Sequence, residues 1–361
     1  MYQLYNINKQ IKDLYRVNPF QGRGEFLRLD MNENPHGLPE YFVKSVLNKL
    51  SASFLAMYPE TKELLYEISK HLNNEQSTVN ITEEKIAITN GSDEAIKTIF
   101  EVFAESGKSI VTVYPTFEMY SVYAKMYGMQ HTMIEYKKDF TVSYDKFYEA
   151  IHQDTKLVVI LNPNNPIGTV FSRQEVENII KKAQLVKAIV IIDEAYHYFY
   201  KGTLVDMVGM YDNVILLRTF SKLCSIAGCR IGYAVSNPYF ADLINRARPT
   251  YAINCVGIML ATELLKHPTL IHDLIQTEAA GKQYIISELK KNGYKYFSGN
   301  GNYVFIKPNK LVNEIKESLF KEKILIKTYG HELLKKYIRI TTADKNTMER
   351  FLKYFIKMDE I

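Results

Sequence analysis

Only three cysteines, Cys224, Cys229 and Cys255, occur in the 361-residue chain, and no two are spaced as Cys-x-x-Cys. Neither a disulfide framework nor a zinc pattern can be built from them, so no metal is expected and a reducing compartment is implied. Long apolar runs are missing too: nowhere do about eighteen apolar residues follow one another, which excludes a membrane-spanning helix. The opening Met1-Tyr2-Gln3-Leu4-Tyr5-Asn6 has no basic region followed by an apolar core, and a soluble, cytoplasmic protein is the expectation. An excess of one charge sign is also lacking. The 45 basic and 40 acidic residues leave +5, spread without a basic tract or an aromatic-basic pattern, so nucleic acid is not an expected partner. No internal repeat or low-complexity linker appears, and neither Gly-x-Gly-x-x-Gly nor Gly-x4-Gly-Lys-Ser is present.

What is present fits one large and one small domain. The spacing predicts an irregular arm ending in Asn18-Pro19-Phe20-Gln21-Gly22-Arg23-Gly24, then an extended piece, Leu27 to Gly37, closing in Asn32-Glu33-Asn34-Pro35-His36-Gly37. Helical spacing runs from about 40 to 50 and from 61 to 71, interrupted by Met57-Tyr58-Pro59-Glu60. From residue 85 the pattern becomes regular. Short apolar strands at 85–89, 109–114, 156–161, 188–192, 213–218 and 231–235 alternate with helical patterns, among them 172–185 and one opening at Asn90-Gly91-Ser92-Asp93-Glu94 and running to about 106. That alternation predicts an α/β fold with a mostly parallel sheet covered by helices on both faces. From about 237 long helical patterns take over, with strands at 302–306, 324–327 and 337–341. The expected division is an arm over 1–40 joining the small domain, a large domain over 41–245 and a smaller α+β domain over 246–361.

In parallel sheets ligands sit at the carboxyl ends of the strands, and the chemistry-bearing residues of this chain fall there. The strand ending near Arg218 delivers Ser221 and Lys222 into a hydroxyl-rich turn, with Arg230 eight residues on. A dehydrated lysine near other cations loses pKa and becomes a nucleophile toward an aldehyde. Ser92 and Asp93 open a helix after a Gly turn, where unpaired N–H groups and the helix dipole favour an anion; both are also ordinary cap residues. Asn162 to Thr169 forms a rigid Asn/Pro turn, and Asp193 places a carboxylate at the mouth of a fully apolar strand, followed by Tyr196. Tyr120 lies on the helix after the 109–114 strand.

In order and spacing these motifs resemble the fold type I pyridoxal-phosphate enzymes of the class I/II aminotransferases, within them the histidinol-phosphate aminotransferase branch. The resemblance runs from Asn32-Glu33-Asn34-Pro35 through Tyr58-Pro59, Gly91-Ser92-Asp93-Glu94, Asn162 to Gly168, Asp193-Glu194-Ala195-Tyr196 and Ser221-Lys222 to Arg339-Ile340-Thr341. It implies pyridoxal 5'-phosphate as cofactor, Lys222 as the lysine that binds it and moves the proton, and Asp193 as the partner of the ring nitrogen. It further implies Asn165 and Tyr196 on the ring's phenolic oxygen, Tyr120 stacked on the ring face, and Ser92, Asp93, Ser221 and Arg230 around the phosphate. Tyr58 would reach that phosphate from the partner subunit of a homodimer. Arg339 would grip a substrate α-carboxylate, with Asn34 and Lys327 also facing the substrate. Two positions depart from the family pattern: Asn-Pro-Ile-Gly replaces Asn-Pro-Thr-Gly, and Ile326-Lys327-Thr328 stands where the branch places an arginine for the substrate phosphate. The implied activity is transfer of an amino group between glutamate and a small oxo compound, phosphorylated or not. A decarboxylase of a phosphorylated amino acid is the alternative on the same framework.

Overall fold

The computed structural model describes residues 8–12, 14, 20–76, 78 and 80–360. Met1 to Asn6 and the turn residues Asn18 and Pro19 lie outside them. Among the described residues twelve strands form two sheets: β1 (Leu27–Leu29), β2 (Ile86–Thr89), β3 (Ser109–Tyr114), β4 (Gln130–Glu135), β5 (Thr155–Leu161), β6 (Ile189–Asp193), β7 (Val214–Thr219), β8 (Gly232–Val235), β9 (Lys295–Phe297), β10 (Tyr303–Lys307), β11 (Ile324–Thr328) and β12 (Ile338–Thr341).

The larger sheet has the order β2-β8-β7-β6-β5-β3-β4. It is parallel from β7 to β4, and β8 runs antiparallel to both β7 and β2. The middles of its central strands are runs of Val, Ile and Leu because both faces are covered. Alternate residues show this directly. Val158, Ile160, Val190, Ile192, Val214 and Leu216 pack with Val176, Ile179 and Ile180 of the helix Arg173–Leu185. Val159, Ile191, Ile215 and Leu217 pack on the other face with Ile96, Ile99 and Phe100 of the helix Gly91–Phe103. Each such side chain contributes about 1.5–3 kcal/mol of transfer free energy, so the sheet is a stiff platform for whatever leaves its ends.

The smaller sheet has the order β1-β11-β12-β10-β9. The arm enters it by pairing β1 in parallel with β11, Leu27 opposite Ile324. Period-two alternation then sorts its residues. Val304, Ile306, Ile338 and Ile340 bury against Ile285, Leu289, Ile315, Phe351 and Phe355 of the C-terminal helices. Tyr303 and Phe305 turn to the opposite face, where they cluster with Tyr196 of the large-sheet body.

Three expectations change. The packing boundary lies further along than 245: Ile253, Ile258, Leu260, Leu264 and Ile271 belong to the same cluster as the large sheet, since the helix Cys255–Leu265 packs on the helix Lys62–Glu75. β4 and β9 are strands that apolar runs did not reveal. Both lie at sheet edges, where one solvated face keeps polar residues such as Gln130, Thr132 and Lys295. The helix expected to run to about 106 ends at Phe103, before the Glu105-Ser106-Gly107 turn.

Candidate active site

The carboxyl ends of β5, β6 and β7 open into a cavity of about 580 Å³ that the smaller sheet and the segment after β1 close from the other side. Asp193 ends β6 at its floor and is buried. Its carboxylate accepts from the Tyr120 hydroxyl at 2.7 Å and the Ala195 N–H at 3.1 Å. Burial pushes its pKa up to about 6, against the pull of those two hydrogen bonds and of Lys222. A carboxylate held there is costly unless a cation joins it.

Lys222 follows β7 by three residues. Its Nζ donates to Met31 O at 3.0 Å and lies 5.6 Å from the centre of the Tyr196 ring. It is half-buried and lines the cavity. Burial, then the neighbouring charges of Arg339 and Arg230, bring its pKa down to about 8, with Glu33 and Asp193 opposing. The amine therefore reaches its neutral, nucleophilic form near neutral pH.

Beside it lies a cradle for an anion. Ser221 Oγ takes a bond from Thr219 Oγ1 at 2.9 Å and one from Arg230 Nη1 at 3.4 Å, and Arg230 Nη2 donates to Asn90 O at 3.3 Å. Gly91, at φ 75°, leads into the helix whose first turn carries Ser92 and Asp93. A Cβ on Gly91 would lie 2.6 Å from Arg230 Nη2, and one on Gly232 would lie 2.7 Å from the Ser92 nitrogen. Only glycine lets the guanidinium and the helix start converge this closely.

On the opposite wall Arg339 of β12 donates from Nη1 to Asn165 Oδ1 at 2.9 Å and from Nη2 to Asp30 O at 2.7 Å. Its Nε is buried without a hydrogen-bond partner among the described residues. Engaging Asn165 through its oxygen leaves that amide's N–H donors for a ligand. Tyr196 is similar: its oxygen accepts from Asn32 Nδ2 at 2.9 Å, so its own O–H is left to donate, and burial raises its pKa to about 12. Lys327 stands opposite Arg339 in the β11–β12 ladder and lines the cavity. Burial, then Arg339, lowers its pKa.

The structure thus brings Ser92, Asp93, Asn165, Asp193, Tyr196, Ser221, Lys222, Arg230, Lys327 and Arg339 to one cavity. It does not bring Tyr120, Asn34 or Tyr58 there. Tyr120 is 0% exposed, with its ring in the core; the rings that line the cavity are those of Phe117, Tyr196 and Tyr329. A tyrosine facing a sheet interior must spend its hydroxyl on a partner, and Asp193 supplies it. Asn34 bonds Ser225 Oγ at 2.9 Å and lines a neighbouring cavity, whereas Asn32 occupies the position facing Tyr196. Tyr58 is 73% exposed and stacks on Tyr251, ring centres 4.1 Å apart. Sequence reasoning missed Asn32, Phe117, Arg23, Asp30 and Glu33. Asn32 and Glu33 sat inside a motif already singled out, Asn32-Glu33-Asn34-Pro35, and Phe117 lies just past the 109–114 strand.

The family model for class I and II aminotransferases matches residues 25–355. The chain belongs to that family. It is a pyridoxal 5'-phosphate-dependent aminotransferase of fold type I. The histidinol-phosphate aminotransferase of Clostridium novyi (strain NT) is 32% identical over 338 residues, covering 92% of both chains. That of Thermotoga neapolitana is 31% identical over 342 residues, 94% of this chain and 96% of the relative. Among solved structures, the histidinol-phosphate aminotransferase of Clostridium acetobutylicum aligns with TM-score 0.80 at 25% identity, covering 92% of this chain and 99% of that one. The Sinorhizobium meliloti enzyme, solved in complex with pyridoxal-5'-phosphate, aligns with TM-score 0.84 at 22% identity over 98% and 97% of the two chains. The glycine cradle at Gly91 and Gly232, the buried Asp193 carboxylate and the Lys222 amine between them fit this cofactor's phosphate, ring nitrogen and aldehyde.

Proposed function

We propose that the enzyme moves an amino group between glutamate and a small oxo compound that carries a second anionic group, the substrate type named by its histidinol-phosphate aminotransferase relatives. The observation that carries this reading is the pair of cations on the substrate wall, Arg339 and Lys327, adjacent in the β11–β12 ladder. Arg339 offers a planar fork for an α-carboxylate, and Lys327, a point charge, suits a distal phosphate.

When bound, pyridoxal phosphate supplies an electron sink for the carbanion formed at the substrate's α-carbon. The chain's own residues do the rest. Lys222 Nζ anchors the cofactor and then takes the α-proton. Asp193 pairs with the ring nitrogen and keeps it protonated. Asn165 and Tyr196 would donate to the ring's phenolic oxygen, Phe117 would pack against the ring, and Ser92, Asp93, Ser221 and Arg230 would hold the phosphate. The relatives are aminotransferases by name, and no feature of the cavity favours the decarboxylase alternative.

The working unit in this reading is a cytoplasmic homodimer. Met57, Tyr58 and Tyr66 line an exposed groove outside the cavity, with Tyr251 stacked on Tyr58, so Tyr58 meets a cofactor phosphate only in a second copy of the chain. Sedimentation should give twice the 41.9 kDa chain mass. The deciding experiment follows the visible band of the purified protein during separate half-reactions with glutamate, histidinol phosphate and histidinol. Glutamate should bleach the band, and the phosphorylated amine should do so faster than the unphosphorylated one. A band that no amino compound bleaches would sink the proposal.

A further inference from the structure

The segment Asp30 to Asn34 belongs to neither sheet, yet it holds three groups of the reaction. Met31 O takes the Lys222 amine at 3.0 Å, Asp30 O takes Arg339 Nη2 at 2.7 Å, and Asn32 Nδ2 meets the Tyr196 hydroxyl at 2.9 Å. Asn32 sits in the left-handed region at φ 59°, a conformation its surroundings must maintain. On the inner side, Thr341 Oγ1 accepts from Asn32 N at 2.9 Å and Asn302 Nδ2 donates to Asn32 O at 3.1 Å. On the other side the fastener is Arg23, which pairs with Asp30 at 2.7 Å and with Glu33. All three side chains are largely buried at the cavity wall.

We propose that Arg23 is a positioning residue of the transamination. By pairing with Asp30 and Glu33 it fixes this segment against Lys222, Tyr196 and Arg339, and it sets how much of the Glu33 charge reaches the lysine. The charged groups facing Lys222 are Arg339 from β12 and Arg230 from the turn after β7, which disfavour its protonated form, and Glu33 and Asp193 from β6, which favour it. Glu33 in turn faces Arg23 and, at 3.7 Å, Arg28. Losing Arg23 therefore releases negative charge toward Lys222, and losing Glu33 removes it. The two changes act in opposite directions, which a purely structural fastener would not produce.

The inference rests on the transaminase reading. It is tested by titrating the visible absorbance of the pyridoxal-phosphate-loaded enzyme with pH. Arg23→Gln should raise the midpoint and Glu33→Gln lower it, each by about half to one pH unit, with the double variant between them. Arg23→Lys keeps the charge and should restore the midpoint. It loses the planar fork, so kcat should stay roughly threefold or more below wild type, with the glutamate KM nearly unchanged. Midpoints that do not move, or that move the same way in both single variants, overturn the proposal. If Arg23→Gln gives no soluble enzyme, Glu33→Gln decides: a lower midpoint supports the proposal and an unchanged one overturns it. A wild type that acquires no visible band is a different failure, that of the transaminase reading itself.

Discussion

The two walls of the cavity are held by different means. Asp193, Ser221 and Lys222 stand at or within three residues of strands buried along their length. Behind them the fully buried Arg218 bonds Glu194 at 2.9 Å and Glu75 at 2.6 Å, so the start of the lysine turn is pinned by a charge network as well as by the ladder. Breaking a buried pair of this kind costs about 3–5 kcal/mol. The facing wall is framed differently. Arg339 and Lys327 project from the smaller sheet, and the 30–34 segment, which joins neither sheet, is kept in place by side-chain contacts, Asn32 to Thr341 and Arg23 to Asp30 and Glu33. Chemistry common to all amino donors needs the rigid wall, while choice of substrate needs only side chains that can be exchanged without disturbing a core.

The largest expected effect breaks the rigid wall at its reactive atom. Lys222→Met removes the proton carrier, and the glutamate half-reaction followed by absorbance should slow about ten-thousand-fold. The same change should stabilise the cofactor-free protein. The folded amine has its pKa near 8 against an ordinary 10.5, so its cost to stability is fully present below pH 8 and fades as pH rises toward 10.5. Denaturant melts should show the variant more stable at pH 7 by about 1–3 kcal/mol, the full shift being discounted for the amine's exposure to the cavity, with the gap closing by pH 10.5.

On the facing wall, Arg339→Ala should cost about 2–5 kcal/mol of donor binding, read as a raised KM for glutamate in its half-reaction. Lys327→Ala should raise KM about tenfold for the phosphorylated partner alone and leave the glutamate half-reaction as it was, because an exposed ligand phosphate loses one point charge. Equal loss in both halves would remove the division of labour between the two cations.

The smallest effect probes the support beneath Asp193. Its folded carboxyl holds a proton up to about pH 6 against an ordinary 3.8, so the stability that protonation contributes is present below about pH 4 and lost as pH rises through 6. Tyr120→Phe deletes a hydrogen bond that restrains this shift. The cofactor-free variant should lose about 1 kcal/mol more than wild type between pH 4 and pH 7 in thermal melts.

The rigid wall was legible in the sequence because each of its residues follows an apolar strand within a few positions, and strand ends in a parallel sheet share one edge. Lys222, Asp193 and Ser92 needed only that rule, and Arg230, just before β8, was found by its spacing from Lys222. The facing wall was legible in part: Arg339 and Lys327 could be placed on strands, but Arg339 could not be paired with Asp30 or Asn165, because those contacts join residues 309 and 174 positions apart. Asn34 was preferred to Asn32, and Tyr120 to Phe117, for a shared reason. Periodicity says which residues lie on an element, yet a left-handed residue or the inner face of a helix is decided by packing that a local pattern does not contain.

The pairing of Leu27 with Ile324 has a consequence for the birth of the molecule. A ribosome releases the strands of the larger sheet by residue 235, when none of β9 to β12 has yet been made. The platform carrying Lys222 can therefore assemble while β1 still waits for a neighbour almost 300 residues away, and the substrate pocket closes only after translation is nearly done. Nascent chains stalled after residue 300 should already resist protease across the larger sheet while the arm is still cut.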